Sequence, residues 1–359
     1  MKKLSLSAAL ILLVFLSHAT TWTVDNTTGS GAQFNTITAA ISAASTSDTL
    51  LVHSSQNSYG TVQINKHVVL IGPGHHPSVN LFLPATVGVF QLANGCSGTT
   101  IEGFTIGTIE GLVFQTANNI TIRNNYFNVY NSILGNYGDF SGSDNWMIEG
   151  NVFVEAAGCG GCSSINQRAS AGGNDNWTIR NNFFQNNIAS PNNYMFLNFN
   201  STTVFANNVV VHSGTTDLFS TSSFSLIQNN IFYLSANPSI QNVCPNCGFN
   251  NNLFYSTGST IADVTGVGNI ENVNPEFVFL TSDVASWNYE NDYHLAATSP
   301  AVGSAADGDD MGLYGAEYNF RMDGYTNDIP RLTEVLPQYL VVPVNGTFTI
   351  DFSGTSAGQ

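Results

Sequence analysis

Two identical tripeptides, Asp144-Asn-Trp and Asp175-Asn-Trp, hold the most suggestive acid chemistry in the chain. Carboxylates set in matching local sequence come side by side if the chain between them folds as equivalent structural units. At about 5 Å, the separation of neighbouring strands, they would suit a retaining-type glycosidase pair or a shared Ca²⁺. Arg168 lies between them and is the one cation in segments 129–143, 155–174 and 186–200. That makes it the candidate base of a lyase-type reaction, or a clamp for a substrate carboxylate. Tyr130, Tyr137, Phe140 and Tyr194 share these segments and offer faces on which sugar rings can stack. The plainer reading of each aspartate is structural: its side chain starts a strand by bonding to the backbone of its turn. For Tyr194-Met-Phe-Leu-Asn-Phe199 the plainer reading is a lipophilic strand.

Asp307, Asp309 and Asp310 crowd into Asp-Gly-Asp-Asp. Their oxygens could gather Ca²⁺, although a solvated acidic loop has the same composition. The cysteines form two close pairs, Cys159-Gly-Gly-Cys162 and Cys244-Pro-Asn-Cys247, with Cys96 left over. Two such pairs admit a shared zinc, two local disulfides or a redox role. The repeat described next sets the pairs three units apart, about 14 Å at strand spacing, which favours two local disulfides. His53, His67, His75 and His76 fall far from the long segments, and His212 and His294 are isolated in sequence.

What positions these residues is a repeated phrase. Ile-Thr-Ile-Arg-Asn-Asn-Tyr-Phe at Ile120, Trp-Met-Ile-Glu-Gly-Asn-Val-Phe at Trp146 and Trp-Thr-Ile-Arg-Asn-Asn-Phe-Phe at Trp177 are its clearest copies. Its last Asn recurs at Asn125, Asn151, Asn182, Asn208, Asn230 and Asn252, with Gly103 in the same place one copy earlier and steps of 22 to 31 residues. Strand-like content at that period predicts an all-β parallel solenoid, one coil per copy. Apolar residues three before and two after the marker predict internal ladders: Ile122, Ile148, Ile179, Phe205, Ile227 and Phe249, then Phe127, Phe153, Phe184, Val210, Phe232 and Phe254. The marker Asn itself is expected at a left-handed turn, stacked on its copies. Glu102, Arg123, Glu149 and Arg180 follow one another in an outward column, expected as an exposed salt-bridge ladder. All excess over 22 residues falls in the three long segments, which places a binding flank at residues 125–208.

Upstream, Phe34, Ile37 and Ile41 fall on one helical face, suited to covering the open end of such a core. Asp48-Thr-Leu-Leu-Val52, Tyr59-Gly60, Val62-Gln-Ile-Asn-Lys66 and Val69-Leu-Ile-Gly-Pro-Gly74 follow. With the Asn-Asn-x-Phe phrases and the tail motifs Asn274-Pro-Glu-Phe277, Asp292-Tyr-His-Leu295, Ser299-Pro-Ala-Val302 and Met311-Gly-Leu-Tyr-Gly315, they resemble right-handed parallel β-helix proteins of the pectate-lyase-like group. The resemblance spans 34–315 and implies a right-handed β-helix with an N-terminal capping helix, in the style of exported bacterial members. It does not carry over a reaction, since neither the three close aspartates of the group's hydrolases nor the cation site with several Lys or Arg of its lyases is present.

Met1-Lys-Lys, the apolar run Ala8–Leu16 and Ser17-His-Ala19 read as an export signal at 1–19. Then follow an N-terminal strand and capping helix at 20–48, the β-helix at 49–318, and at 319–359 a linker leading into the start of a β-sandwich module or a strand pair folding back. Losing Lys2 and Lys3 with the signal makes the chain two units more negative than its formal −16. That balance argues against nucleic acid and anionic lipid, and weakens the case for polyanionic glycans. The resulting expectation is a secreted or cell-surface monomer that binds a glycan or surface partner through the flank at 125–208. A polysaccharide lyase or hydrolase working at Asp144 and Asp175, and a structural stalk or adhesin passenger, are the alternatives.

Overall fold

The computed structural model describes residues 19–77, 83–129, 131–136, 142–155, 163–168, 173–186, 194–214, 217–220, 222–224, 226–235, 244, 247–262, 264–282, 284–326, 329, 331–337 and 350–355. The expected export signal therefore lies outside the described residues, apart from its last position. So do Tyr130, Tyr137, Phe140, Cys159 and Cys162. The described chain is mostly β, built of parallel sheets, with a single helix at Ile37–Ala43. Thr36 starts that helix by accepting the N–H of Ala39 on its hydroxyl (3.2 Å). At the other end the Lys66 ammonium donates to the carbonyl of Ile41 (2.9 Å) and to that of Ala44, where the helix dipole is negative. Ile37, Ala40 and Ile41 are buried against the inner core.

Two parallel sheets make the body. One runs from Thr21–Val24 through Thr49–Val52, Val69–Ile71 and Thr100–Glu102, then through the Ile-centred strand of each copy to Phe249–Asn250. From Thr49–Val52 onward the chain visits the other sheet between every two strands of this one. Strand register brings Ile122, Ile148, Ile179, Phe205, Ile227 and Phe249 into one fully buried column, as their spacing predicts, and adds Ile101 at its start. Phe127, Phe153 and Phe184 form a second, with ring centroids 4.6 Å apart at each step. That distance is the strand spacing itself, so identical side chains must stack face over face. Trp146 and Trp177 do the same at 4.5 Å.

The second sheet forks. Thr105–Gly111 is long enough to pair twice on one side: Thr105 and Ile106 with Tyr126–Phe127, Ile109 and Glu110 with Ile133–Leu134. Beyond the fork one branch continues through Val152–Glu155 and Phe183–Asn186, the other through Ile165–Asn166, Phe196–Leu197 and Phe219–Ser220. The three long segments are thus more than a loop-lined flank. Each carries a strand of the second branch, with Ile133, Ile165 and Phe196 fully buried.

Two expectations about the repeat are corrected by the register. Glu102 pairs with Arg123, so Gly103 stands beside Asn124, and Phe104 takes the marker's place. The left-handed backbone likewise belongs to the residue before the marker: Asn124, Asn181, Asn207, Asn229 and Asn251 have φ between 52° and 59°, and Gly103 and Gly150 fill the same position. The two asparagines of the phrase divide the labour, the first turning the chain and the second bonding inside it.

Residues 274–326 then run back along the body. Their Ala285, Tyr293, Met311, Leu313 and Phe320 form an outer apolar cluster with Val152, Phe183, Val209, Ile231 and Leu253. The turning asparagines supply much of the track. The Asn251 amide donates to Ser304 O (3.2 Å), Asn229 Oδ1 accepts Ala306 N–H (2.9 Å), the Asn181 amide donates to Leu313 O and Gly315 O, and Asn124 Oδ1 accepts the Tyr318 hydroxyl (2.6 Å). Gly150 is glycine because a Cβ there would lie 2.3 Å from the Tyr318 hydroxyl. The cover reaches past 318, since His75 N–H donates to Asp323 O (2.9 Å). It also overturns the expected exposed ladder: Glu102 and Glu149 are buried, paired with Arg123 and Arg180. Arg331–Pro337 and Ile350–Thr355 pair antiparallel with each other.

Candidate functional site

The buried marker column consists of bonds between copies. Each carboxamide oxygen accepts the backbone N–H of the preceding marker, at 3.0 Å from Asn125 to Asn151, 2.9 Å to Asn182, 2.9 Å to Asn208, 2.8 Å to Asn230 and 3.0 Å to Asn252. Each amide donates to the next carboxamide oxygen and to a carbonyl of the copy before, Ile148 O in the case of Asn182. A column so completely used leaves no atom for a ligand.

Asp144 and Asp175 prove to belong to a similar column at the opposite corner. Asn118 Oδ1 accepts Asp144 N–H (2.9 Å), Asp144 Oδ1 accepts Asp175 N–H (2.8 Å), and Asp175 Oδ1 accepts the Asn200 amide (2.7 Å). The expected register between the two holds, and Thr178 sits opposite Met147. The bond, however, is from the carboxylate of one copy to the backbone of the next. Left-handed Asn145 and Asn176 follow, and the Trp146 and Trp177 indoles donate to Ala117 O and Ser143 O, fixing the tripeptide at the corner. Replacing Asp175 by Ala is expected to lower stability by about 1–2 kcal/mol, read by urea denaturation, because the Asn200 amide loses the shorter of its two bonds.

Arg168 comes within one residue of Asp175, where its carbonyl accepts the Asn174 amide (3.3 Å). It adopts φ 57°, its guanidinium donates to Gly135 O (3.2 Å), and it lines a hollow of about 320 Å³ with Glu110, Gly111, Leu112 and Val113. Neither aspartate is among that lining. Glu110 is held from the other side by the Gln91 amide (2.9 Å). Val113 of that lining is 50% exposed, and the next residue along the chain, Phe114, is 69% exposed with φ 58°. A bulky aromatic in the left-handed region costs of order 1–3 kcal/mol and persists where its surroundings impose it. Here the turn is fixed by Gln115 N–H on Leu112 O (3.2 Å) and by Gln115 Oε1, which accepts Asn94 N–H (3.0 Å). Nothing in the local sequence Gly111-Leu-Val-Phe-Gln115 announces an exposed ring, since any apolar run reads first as a core strand. Tyr194, the one expected stacking residue that is described, is half-buried two residues before the strand Phe196–Leu197.

Asp307, Asp309 and Asp310 do not converge. Asp307 Oδ1 accepts Asp309 N–H (3.2 Å) and Asp310 Oδ1 accepts Gly303 N–H (2.9 Å), and among the described residues no three His, Cys, Asp or Glu side chains gather as a metal site. Cys244 and Cys247 are joined as a disulfide with Cα atoms 5.4 Å apart. Cys96 is a buried free thiol, its pKa pushed up to about 12 by burial. His294 is not isolated: its Nδ1 lies 2.6 Å from Asp292 and its ring stacks on Tyr314 at 3.6 Å. Among the described residues no helix is long and apolar enough to cross a membrane. No protein-family model matches the chain, and no curated protein does.

Proposed function

We propose that the chain is an exported right-handed parallel β-helix of the pectate-lyase-like type, capped by its one helix, that binds a neutral glycan without cleaving it. The binding ledge is Val113–Phe114 with Glu110 and Arg168. The observation that carries this reading is Phe114, a solvent-facing ring on a strained backbone beside a hollow that holds one carboxylate and one guanidinium. A pyranose stacks its C–H face on such a ring while its hydroxyls take hydrogen bonds from the guanidinium and give them to the carboxylate. The surrounding negative charge favours neutral over acidic chains. A hydrolase or lyase at Asp144 and Asp175 is less well supported, because an oxygen of each is committed to backbone or amide donors in the copy stack.

A glycan microarray tests the proposal. The protein is expected to bind a family of related neutral glycans, with Phe114→Ala and Arg168→Ala each weakening the signal at least tenfold. Absence of binding to any printed glycan, or full signal in both variants, would sink it.

A further inference from the structure

A second hollow, of about 220 Å³, lies at the far end of the outer cover, lined by His75, His76, Thr105, Tyr126 and Tyr289 together with Pro77, Leu83 and Pro84. It ends an outward column that strand register defines residue by residue: Thr86, Thr105, Tyr126, Val152, Phe183, Val209, Ile231, Leu253. From Val152 onward the column is apolar and buried beneath residues 285–320. At Thr105 and Tyr126 it turns hydroxyl-bearing, and there the cover leaves an opening.

The walls are fixed in advance. The Tyr289 hydroxyl donates to His75 O (3.0 Å), so His75 Nδ1, 2.8 Å away, is the donor in their second bond. Both bonds span 214 residues of sequence and lock the Tyr289 ring in place. Around it stand His76 at 4.5 Å between centroids, His75 at 5.8 Å and Tyr126 at 6.5 Å. The described lining carries no carboxylate, guanidinium or ammonium. Burial also holds His75 uncharged near neutrality, its pKa lowered to about 3.

We propose that this hollow is a second binding site, taking a single neutral hydroxyl-bearing ring such as a hexopyranose or the terminal sugar of a chain. Its volume is below that of pockets for drug-sized ligands, which limits it to one ring. Tyrosine and imidazole faces stack the ring, while Tyr126, Thr105 and His76 meet its hydroxyls.

The test is saturation-transfer NMR with methyl glucoside, methyl galactoside and methyl mannoside on the full chain. Transfer to at least one is expected, falling at least fivefold in Thr105→Leu, which fills the hollow and keeps its rings. Tyr126→Ala is the second variant, with a thermal melt confirming that each is folded. Val302→Ala, at an exposed position outside both hollows, should leave the signal unchanged. Signal lost in Phe114→Ala and kept in Thr105→Leu would assign the sugar to the ledge and overturn this site. No transfer to any of the three glycosides would overturn it too, whatever the ledge binds.

Discussion

Asn182→Ala is expected to destabilise the folded chain by about 3–5 kcal/mol, more than any surface substitution. Its amide donates to Ile148 O (2.9 Å), Arg180 O (2.8 Å) and Asn208 Oδ1 (3.0 Å), and its oxygen accepts both the N–H and the amide of Asn151 (2.9 and 3.0 Å). Alanine leaves the buried Asn151 N–H and the carbonyls of Ile148 and Arg180 without the partner Asn182 supplies, and opens a void between copies. Each orphaned buried group costs about 1–3 kcal/mol. Asn181→Gly provides the contrast. Glycine adopts the same φ of 52° without strain, so only the two bonds to Leu313 O and Gly315 O are lost, worth about 1–2 kcal/mol. Urea unfolding followed by tryptophan fluorescence reads both. Equal effects, or less than about 1 kcal/mol for Asn182→Ala, would contradict the assignment of roles within the Asn-Asn pair.

Acid should loosen the molecule through His75. Its imidazole is 6% exposed, uses Nδ1–H on Tyr289, and has its Nε2 against Gly324, where an added Cβ would lie 2.4 Å away. Burial lowers its pKa from 6.5 to about 3, with Asp323 opposing and His76 adding to the shift. The unfolded chain therefore takes up a proton below about pH 6.5 that the folded chain refuses until about pH 3. The stability is present in full above pH 6.5 and falls by up to about 1.4 kcal/mol per unit as the pH drops through that window. His75→Phe removes the titration while keeping a flat ring. Between pH 6.5 and 4.5 it should lose up to about 2.7 kcal/mol less than the wild type, whatever slope the carboxylates add to both. Parallel pH profiles for the two proteins would show that His75 is charged in the fold.

How much of this was written in the sequence depends on distance along the chain. The stacked Ile and Phe columns come from residues at fixed offsets within each copy, and the period alone places them. The columns at Asn182 and Asp175 were visible as recurring residue types, but recurrence does not tell a ligand from a bond to the next copy. Register was misjudged by one residue at Gly103, because glycine substitutes for the turning Asn rather than for the bonding one. The outer cover was illegible: Tyr318 meets Asn124 across 194 residues and Ala306 meets Asn229 across 77, with no local pattern to announce either. For the same reason the expected exposed ladder at Glu102 and Glu149 turned out covered, and Tyr289 gave no sign that it would close over His75. Phe114 was missed because an apolar run reads first as a core strand, whereas the chain turns between Leu112 and Gln115.

Calorimetric titration of one glycan taken from the microarray into wild type, Phe114→Ala and Asp175→Asn tests the account most directly. The account predicts a Kd at least tenfold weaker in Phe114→Ala, about 1.4 kcal/mol, and within twofold of wild type in Asp175→Asn. Binding lost in Asp175→Asn and untouched in Phe114→Ala would place the site on the paired aspartates and contradict it.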